Sequence, residues 1–332
     1  MRSGLVIVLI AGAVIGLGLA ARGCSERKGR VVTKLETVNN TVAGDKAQPA
    51  EFSLSAKDDE GFDLPERDEI RQKYRLTSEA MVSISDINGK VKVDSSDADV
   101  AEILIVHSAR RREDLQYSQV KIQQGQRNNK RTLFIWHEND SFSPGSIPES
   151  RQRVILRLPR NTGLEIHDMG GDVTIGEIHG SAEVTKVDGA VRVARAAGPI
   201  KIEGIIGAVD MTFAPFAGNE ARITHRDIHR AVNKGPETFF GRNAISVRNV
   251  NGDVDLRFEG EVNADVNAWR VAGNIAPDLP NVERLPAEPP VGRLKARIGG
   301  GGASIEIQQI NGNVTLSKAG DRDASAAKAV AK

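Results

Sequence analysis

The chain has 332 residues, room for one to three domains, with 45 Lys+Arg against 44 Asp+Glu and a single cysteine, Cys24. The charge balance excludes an overall design for nucleic acid, and the lone cysteine excludes a disulfide framework or a zinc site of the Cys-pair type. Aromatics make up only 4 % while Gly stands at 33, so the core must come from thin, repeated aliphatic layers.

The chain opens with Met1-Arg2-Ser3-Gly4 and a run of 17 apolar or glycine residues, 5–21. A short positive start before such a run predicts a hydrophobic helix acting as a signal peptide or signal anchor over residues 1–23. Cys24 invites lipidation, but Ala21-Arg22-Gly23-Cys24 puts Arg where a bacterial lipobox takes a small residue and Ala where it prefers Leu. Arg22, Arg27, Lys28 and Arg30 pull against export by the positive-inside tendency. Residues 24–77 read as a polar linker, with a short helix near Pro65 and Tyr74. Residues 318–332, rich in Ala, Lys and Asp, read as a disordered tail.

Between these lies a repeat of constant length. Glycine falls at 171, 180, 189, 198 and 207, so each unit is nine residues long. Counting the glycine as offset zero, offsets two (Val173, Ala182, Val191, Ile200, Val209), four (Ile175, Val184, Val193, Ile202, Met211) and seven (Ile178, Val187, Ala196, Ile205, Ala214) are all apolar. Offsets two and four alternate with polar residues, the period of a half-buried strand. Glycine and the residues around offsets five and six are expected to turn corners by adopting positive φ. One unit cannot bury its own apolar face, so the expectation is a parallel β-solenoid with about two units per coil, spanning residues 78–317.

The same grammar recurs at Ile87-Asn88-Gly89, Val250-Asn251-Gly252 and Ile310-Asn311-Gly312. Asn-Gly between alternating runs also signals an antiparallel hairpin, so either local reading stands at these copies. The stretch from Val100 to His107, with 120–122 and 132–137, predicts a small front sheet that caps the first edge.

In order of parts the sequence resembles the bacterial putative-adhesin family, an exported β-strand-repeat domain. Val82-Ser83-Ile84-Ser85-Asp86-Ile87-Asn88-Gly89-Lys90-Val91-Lys92-Val93, the Arg153 to Pro159 strand, the Gly-x-Val units and Ile310-Asn311-Gly312-Asn313-Val314 carry the resemblance, over about residues 78–317. It implies an envelope location, an adhesive, scaffolding or stress-associated role, and no catalytic residues to carry over. The sequence departs from the family's cleaner repeats between Phe216 and Asn243.

No catalytic, cofactor or metal site emerges. His225 and His229 lie four apart but among Arg222, Arg226 and Arg230, and no Glu follows the first His. Phe213, Phe216, Phe239 and Phe240 gather around the departure and read as a local plug. A calcium nonapeptide fails because offset four is Ile, Val or Met. Glu183 and Asp210 are expected on opposite faces, and His167 and Asp168, as strand neighbours, likewise. The glycines at 299–302 lack the Lys-Ser/Thr of a phosphate loop and predict a flexible corner. The expected partners are a membrane, through the N-terminal segment, and an envelope protein or polysaccharide. The function expected is a non-enzymatic, exported binding module. The alternatives are a carbohydrate-active β-helix enzyme and a scaffold in an envelope stress system.

Overall fold

A computed structural model describes residues 33–34, 64–76, 79–139, 150–215, 245–286 and 292–320. The apolar run at 5–21, Cys24, His225, His229, Phe216, Phe239, Phe240 and the tail beyond 320 lie outside the described residues. Among those described, no helix is long and apolar enough to cross a membrane.

The described chain is all-β, in two mixed sheets of eleven strands each. Sheet A holds β2 (Glu66–Arg75), β4 (Gly89–Ser96), β5 (Val100–Ala109), β8 (Ser150–Pro159), β10 (Val173–Ile178), β12 (Val191–Ala196), β14 (Val209–Phe213), β16 (Val254–Phe258), β18 (Ile275–Asp278) and β22 (Val314–Lys318), with β1 (Thr33–Lys34) at one edge. Sheet B holds β3 (Met81–Ser85), β6 (Ser118–Arg127), β7 (Lys130–Asn139), β9 (Gly163–Met169), β11 (Ala182–Val187), β13 (Ile200–Ile205), β15 (Ile245–Val250), β17 (Ala264–Val271), β19 (Val282–Leu285), β20 (Arg293–Ile298) and β21 (Ala303–Ile310).

Each nine-residue unit is one strand, and successive units go to alternate sheets. Within a sheet the pairing is parallel at a step of eighteen: Val173 with Val191, Val191 with Val209, Ala182 with Ile200. All fifteen apolar offset positions are buried, and strands of both sheets contribute to one core cluster. Each Val or Ile so buried is worth about 1.5–3 kcal/mol of transfer free energy.

The repeat glycines act differently from expectation. None of those at 171, 180, 189, 198 and 207 has positive φ. They stack on the backbone of the unit below: a Cβ on Gly198 would lie 2.2 Å from the Gly180 carbonyl oxygen, and one on Gly207 2.4 Å from that of Gly189. Close approach, not torsion, excludes a side chain there. The left-handed residue sits at offset six, and only in sheet B units: Lys186 (φ 53) and Gly204 (φ 70), in line with Asp168 (φ 57), Asn249 (φ 53) and Gln309 (φ 56).

The Asn-Gly copies are not hairpins. Each joins a strand of sheet B to the next of sheet A: β3 to β4, β15 to β16, β21 to β22. From β9 onward every such B-to-A corner has three residues, at 170–172, 188–190, 206–208, 251–253, 272–274 and 311–313. The return corners vary, with three residues at 179–181 and five at 259–263, and 31 residues separate β14 from β15. β21 and β22 insert between the strands of the preceding coil and β17 and β18, so the chain's last strands lie inside the stack.

Two front expectations are corrected. The strands at 100–107, 120–122 and 132–137 do not form a small cap of their own: β5 extends sheet A, while β6 and β7 extend sheet B. The short helix near Pro65 and Tyr74 is instead β2, antiparallel to β5 over all ten residues, so sheet structure reaches into the segment 24–77 expected to be a linker. Its alternation explains this. Ile70 and Tyr74 pack on the core, while Glu69 on the other face meets Arg67 at 2.5 Å and Arg71 at 3.0 Å. Ten ladder partners outweigh a weak local helix preference.

Candidate ligand groove

At the front of sheet B the pleat decides what faces outward. On β3, Val82 and Ile84 enter the core, which turns Ser83 and Ser85 out. On β7, Leu133 and Ile135 go in, leaving Phe134 and Trp136 outside; on β9, Leu164 and Ile166 go in, leaving Glu165 and His167. Register places Ser83 between Phe134 and Glu165, and Ser85 between Trp136 and His167. Two small residues flanked by large ones make a trough of about 350 Å³, lined also by Gln123 and Arg127 of β6.

Glycine shapes one wall. Gly125 of β6 leaves only 3.1 Å between an added Cβ and the Phe134 ring, so the ring lies against that strand. Arg127 Nη1 donates to Glu165 Oε2 at 2.7 Å, tying β6 to β9 across the two strands between them. Half-exposed, that pair adds little to stability. Its effect is to fix the guanidinium over one end of the trough.

His167 and Asp168 correct the expectation of opposite faces. The left-handed φ of Asp168 breaks the alternation, and its Oδ2 comes within 3.4 Å of His167 Nδ1 while Oδ1 meets Lys186 Nζ at 3.1 Å. Partial burial pushes the Asp168 carboxyl up, but Lys186 and His167 outweigh it and hold it below the usual carboxylate range.

The trough therefore offers two aromatic side chains, hydroxyls, an amide, a fixed guanidinium and an imidazole. Such a set stacks on an apolar ring face and hydrogen-bonds polar substituents around it. Sequence reasoning passed over Phe134 and Trp136. The signal was present: in Thr132-Leu133-Phe134-Ile135-Trp136-His137 the aromatics occupy the positions that alternation reserves for polar residues.

No protein-family model matches this chain, and no curated protein does. Solved structures do. A putative cell adhesion protein from Clostridium sporogenes is 11 % identical, covering 75 % of this chain and 98 % of its own, at a TM-score of 0.41. A putative adhesin from Bacteroides fragilis is 12 % identical, covering 75 % and 96 %, at a TM-score of 0.25.

The other sequence candidates are scattered. Glu183 and Asp210 lie in different sheets, as expected, Glu183 bonded to Lys201 and Asp210 to Arg257. Phe213 is in the core, its ring 5.3 Å from Phe258 and stacked on it. The glycines at 299–302 turn β20 into β21, with Asn263 Oδ1 accepting from the Gly300 amide at 3.0 Å. Among the described residues no group of three or more His, Cys, Asp or Glu is placed to hold a metal.

Proposed function

We propose that the chain is an exported, non-enzymatic binding module of the cell envelope, wound as a parallel β-solenoid, that holds its ligand in the Trp136 groove. The eighteen-residue step shared by β10–β12–β14 and by β9–β11–β13 supports the solenoid. The single observation that carries the binding role is the aromatic pair Phe134 and Trp136 turned away from the core beside a serine-floored trough. The apolar run at 5–21 and a body with no cysteine after Cys24 support export.

The carbohydrate-active enzyme reading requires two converging carboxylates, one held protonated. At this groove Glu165 is bound to Arg127, and Asp168 is shifted down, the wrong direction for a general acid. Binding without turnover is the reading these groups favour.

The test uses the full chain in detergent, which occupies the apolar run at 5–21, and envelope material extracted free of lipid. Co-sedimentation should weaken about tenfold for Trp136→Ala, as for a truncated interface anchor, with the melting temperature unchanged. Equal sedimentation of the variant would remove the groove from the function. Protease added after opening the outer layer should digest the body, whereas a protected, cytosolic body would overturn export.

A further inference from the structure

The chain has two tryptophans, and both lie on the outer face of sheet B. They also lie at one level of the strands. Bridge partners lead from Trp136 through Ser85 to His167, Thr185 and Glu203, and on through Arg248 and Gln308 to Trp269. Seven strand steps separate the two indoles, roughly 34 Å at about 4.8 Å each. Trp269 lines an opening of its own, about 390 Å³, with Asn267, Arg293 and Lys295.

The surface between them is polar, and its charges are neutralised between neighbouring strands. Lys201 meets Glu183 at 2.9 Å, Arg248 meets Glu306 at 3.0 Å and Lys186 meets Asp168 at 3.1 Å. A polyanion would find more carboxylates than cations here, Glu165, Asp168, Glu183, Glu203 and Glu306 against Arg127, Lys186, Lys201 and Arg248, and an apolar partner would find little to bury. A neutral, hydroxyl-rich chain gains hydrogen bonds from both members of each pair. A sugar ring with its linkage also advances by close to one strand spacing, so parallel, in-register strands repeat at nearly the pitch of a linear glycan. Tryptophans at either end supply stacking faces for its rings.

Resting on the groove reading above, we infer that the outer face of sheet B is one continuous track for a linear, neutral polysaccharide, running across the strands from Trp136 to Trp269. The front groove is then one terminal subsite of a longer site, and the ligand's length becomes part of its recognition.

The experiment titrates the full chain with β-1,4-linked oligomers of glucose, mannose and N-acetylglucosamine, two to eight sugars long, followed by calorimetry and indole fluorescence. For the oligomer that binds, affinity should climb with length up to eight. Trp136→Ala and Trp269→Ala should each weaken the octamer about tenfold, the loss of one interface anchor. Each variant leaves a single indole, so the residual fluorescence change assigns the end that is touched. Thr185→Arg, placed mid-track, should reduce octamer affinity to that of the tetramer and leave the tetramer unaffected. If affinity levels off by the tetramer, with Trp269→Ala and Thr185→Arg both silent, the track is overturned and the front groove survives. If no oligomer binds while envelope material still captures the chain through Trp136, the glycan class is wrong and the groove survives. If envelope capture is also indifferent to Trp136, both readings fall together.

Discussion

The block at 171–214 and the front at 66–139 bury the same kinds of residue, yet their strands find partners by different rules. In the block residues lie beside those eighteen further on, in a parallel ladder that never reverses and slips only once, where Ala196 pairs with Phe213. At the front, β2 and β5 pair antiparallel, β5 pairs antiparallel with β8, and β6 turns straight back onto β7, which runs parallel to β3. The block repeats one layer; the front combines several pairings to close an end and leaves aromatic side chains outside. Structure by repetition and structure by exception should respond to change in different ways.

The largest difference is in tolerance to deletion. Removing 189–197, one unit, would send every later strand to the wrong sheet and bring left-handed positions such as Gly204 into sheet A. Removing 180–197 keeps both sheets in step. Circular dichroism melts should show a cooperative transition only for the eighteen-residue deletion. A better-folded nine-residue variant would break the two-unit rule.

Within one unit, Val193 is 2 % exposed and Arg192 faces solvent. Val193→Asp should cost about 3–5 kcal/mol in denaturant unfolding, for an unpaired carboxylate in a dry layer. Arg192→Gln should change stability by no more than about 0.5 kcal/mol. Equal costs would mean the register is off by one residue.

The front should carry a pH sensitivity from a buried histidine, whereas the shifted carboxyl of the block, Glu177, is half-exposed. His107 pairs with Gln152 between β5 and β8, and burial, with His137 nearby, pushes its pKa down from 6.5 to about 4. The folded form refuses a proton that the unfolded chain accepts, so stability should fall as pH drops from 6.5 and level off near 4. A shift of that size is worth about 3 kcal/mol. His107→Gln should flatten this part of the profile, and an unchanged profile would assign the loss to other groups.

The smallest effect separates the two kinds of unit. Lys186→Gly, at a left-handed position, should be neutral or gain up to about 1 kcal/mol. Arg195→Gly, at the same offset in sheet A without positive φ, should lose about 0.5–1 kcal/mol. The urea midpoint should therefore fall for Arg195→Gly and hold or rise for Lys186→Gly, and an equal fall in both would erase the distinction.

What the sequence disclosed follows the same divide. The constant step fixed the strands, their inward offsets and the separation of Glu183 from Asp210, because in a repeat one local pattern also names the partner. At the front, apolar runs rich in Ile, Val and aromatics marked 100–107 and 132–137 as strands but said nothing of their partners, since those pairings follow no common interval. Ile70 and Tyr74 are spaced as well for a helix as for a strand, and only the ten residues of β5 decide between them. The glycine column was visible and its cause was not, because close backbone approach exists only once units are stacked. Trp136 was legible as a violation of the pattern, a clue weaker than the pattern itself.

One asymmetry bears on how such a chain changes over generations. The corners from sheet B to sheet A keep three residues throughout from β9, while the opposite corners hold three or five, and 31 residues separate β14 from β15. An inserted segment at the second kind of corner, whatever its length, leaves the ladder's phase untouched. Stacked glycine stands at both seams, Gly189 and Gly207 at one and Gly180 and Gly198 at the other, so length alone tells them apart. A lineage can thus diversify what it carries on one rim while inheriting the framework unaltered, and a protein engineer grafting a foreign loop has the same rim to choose.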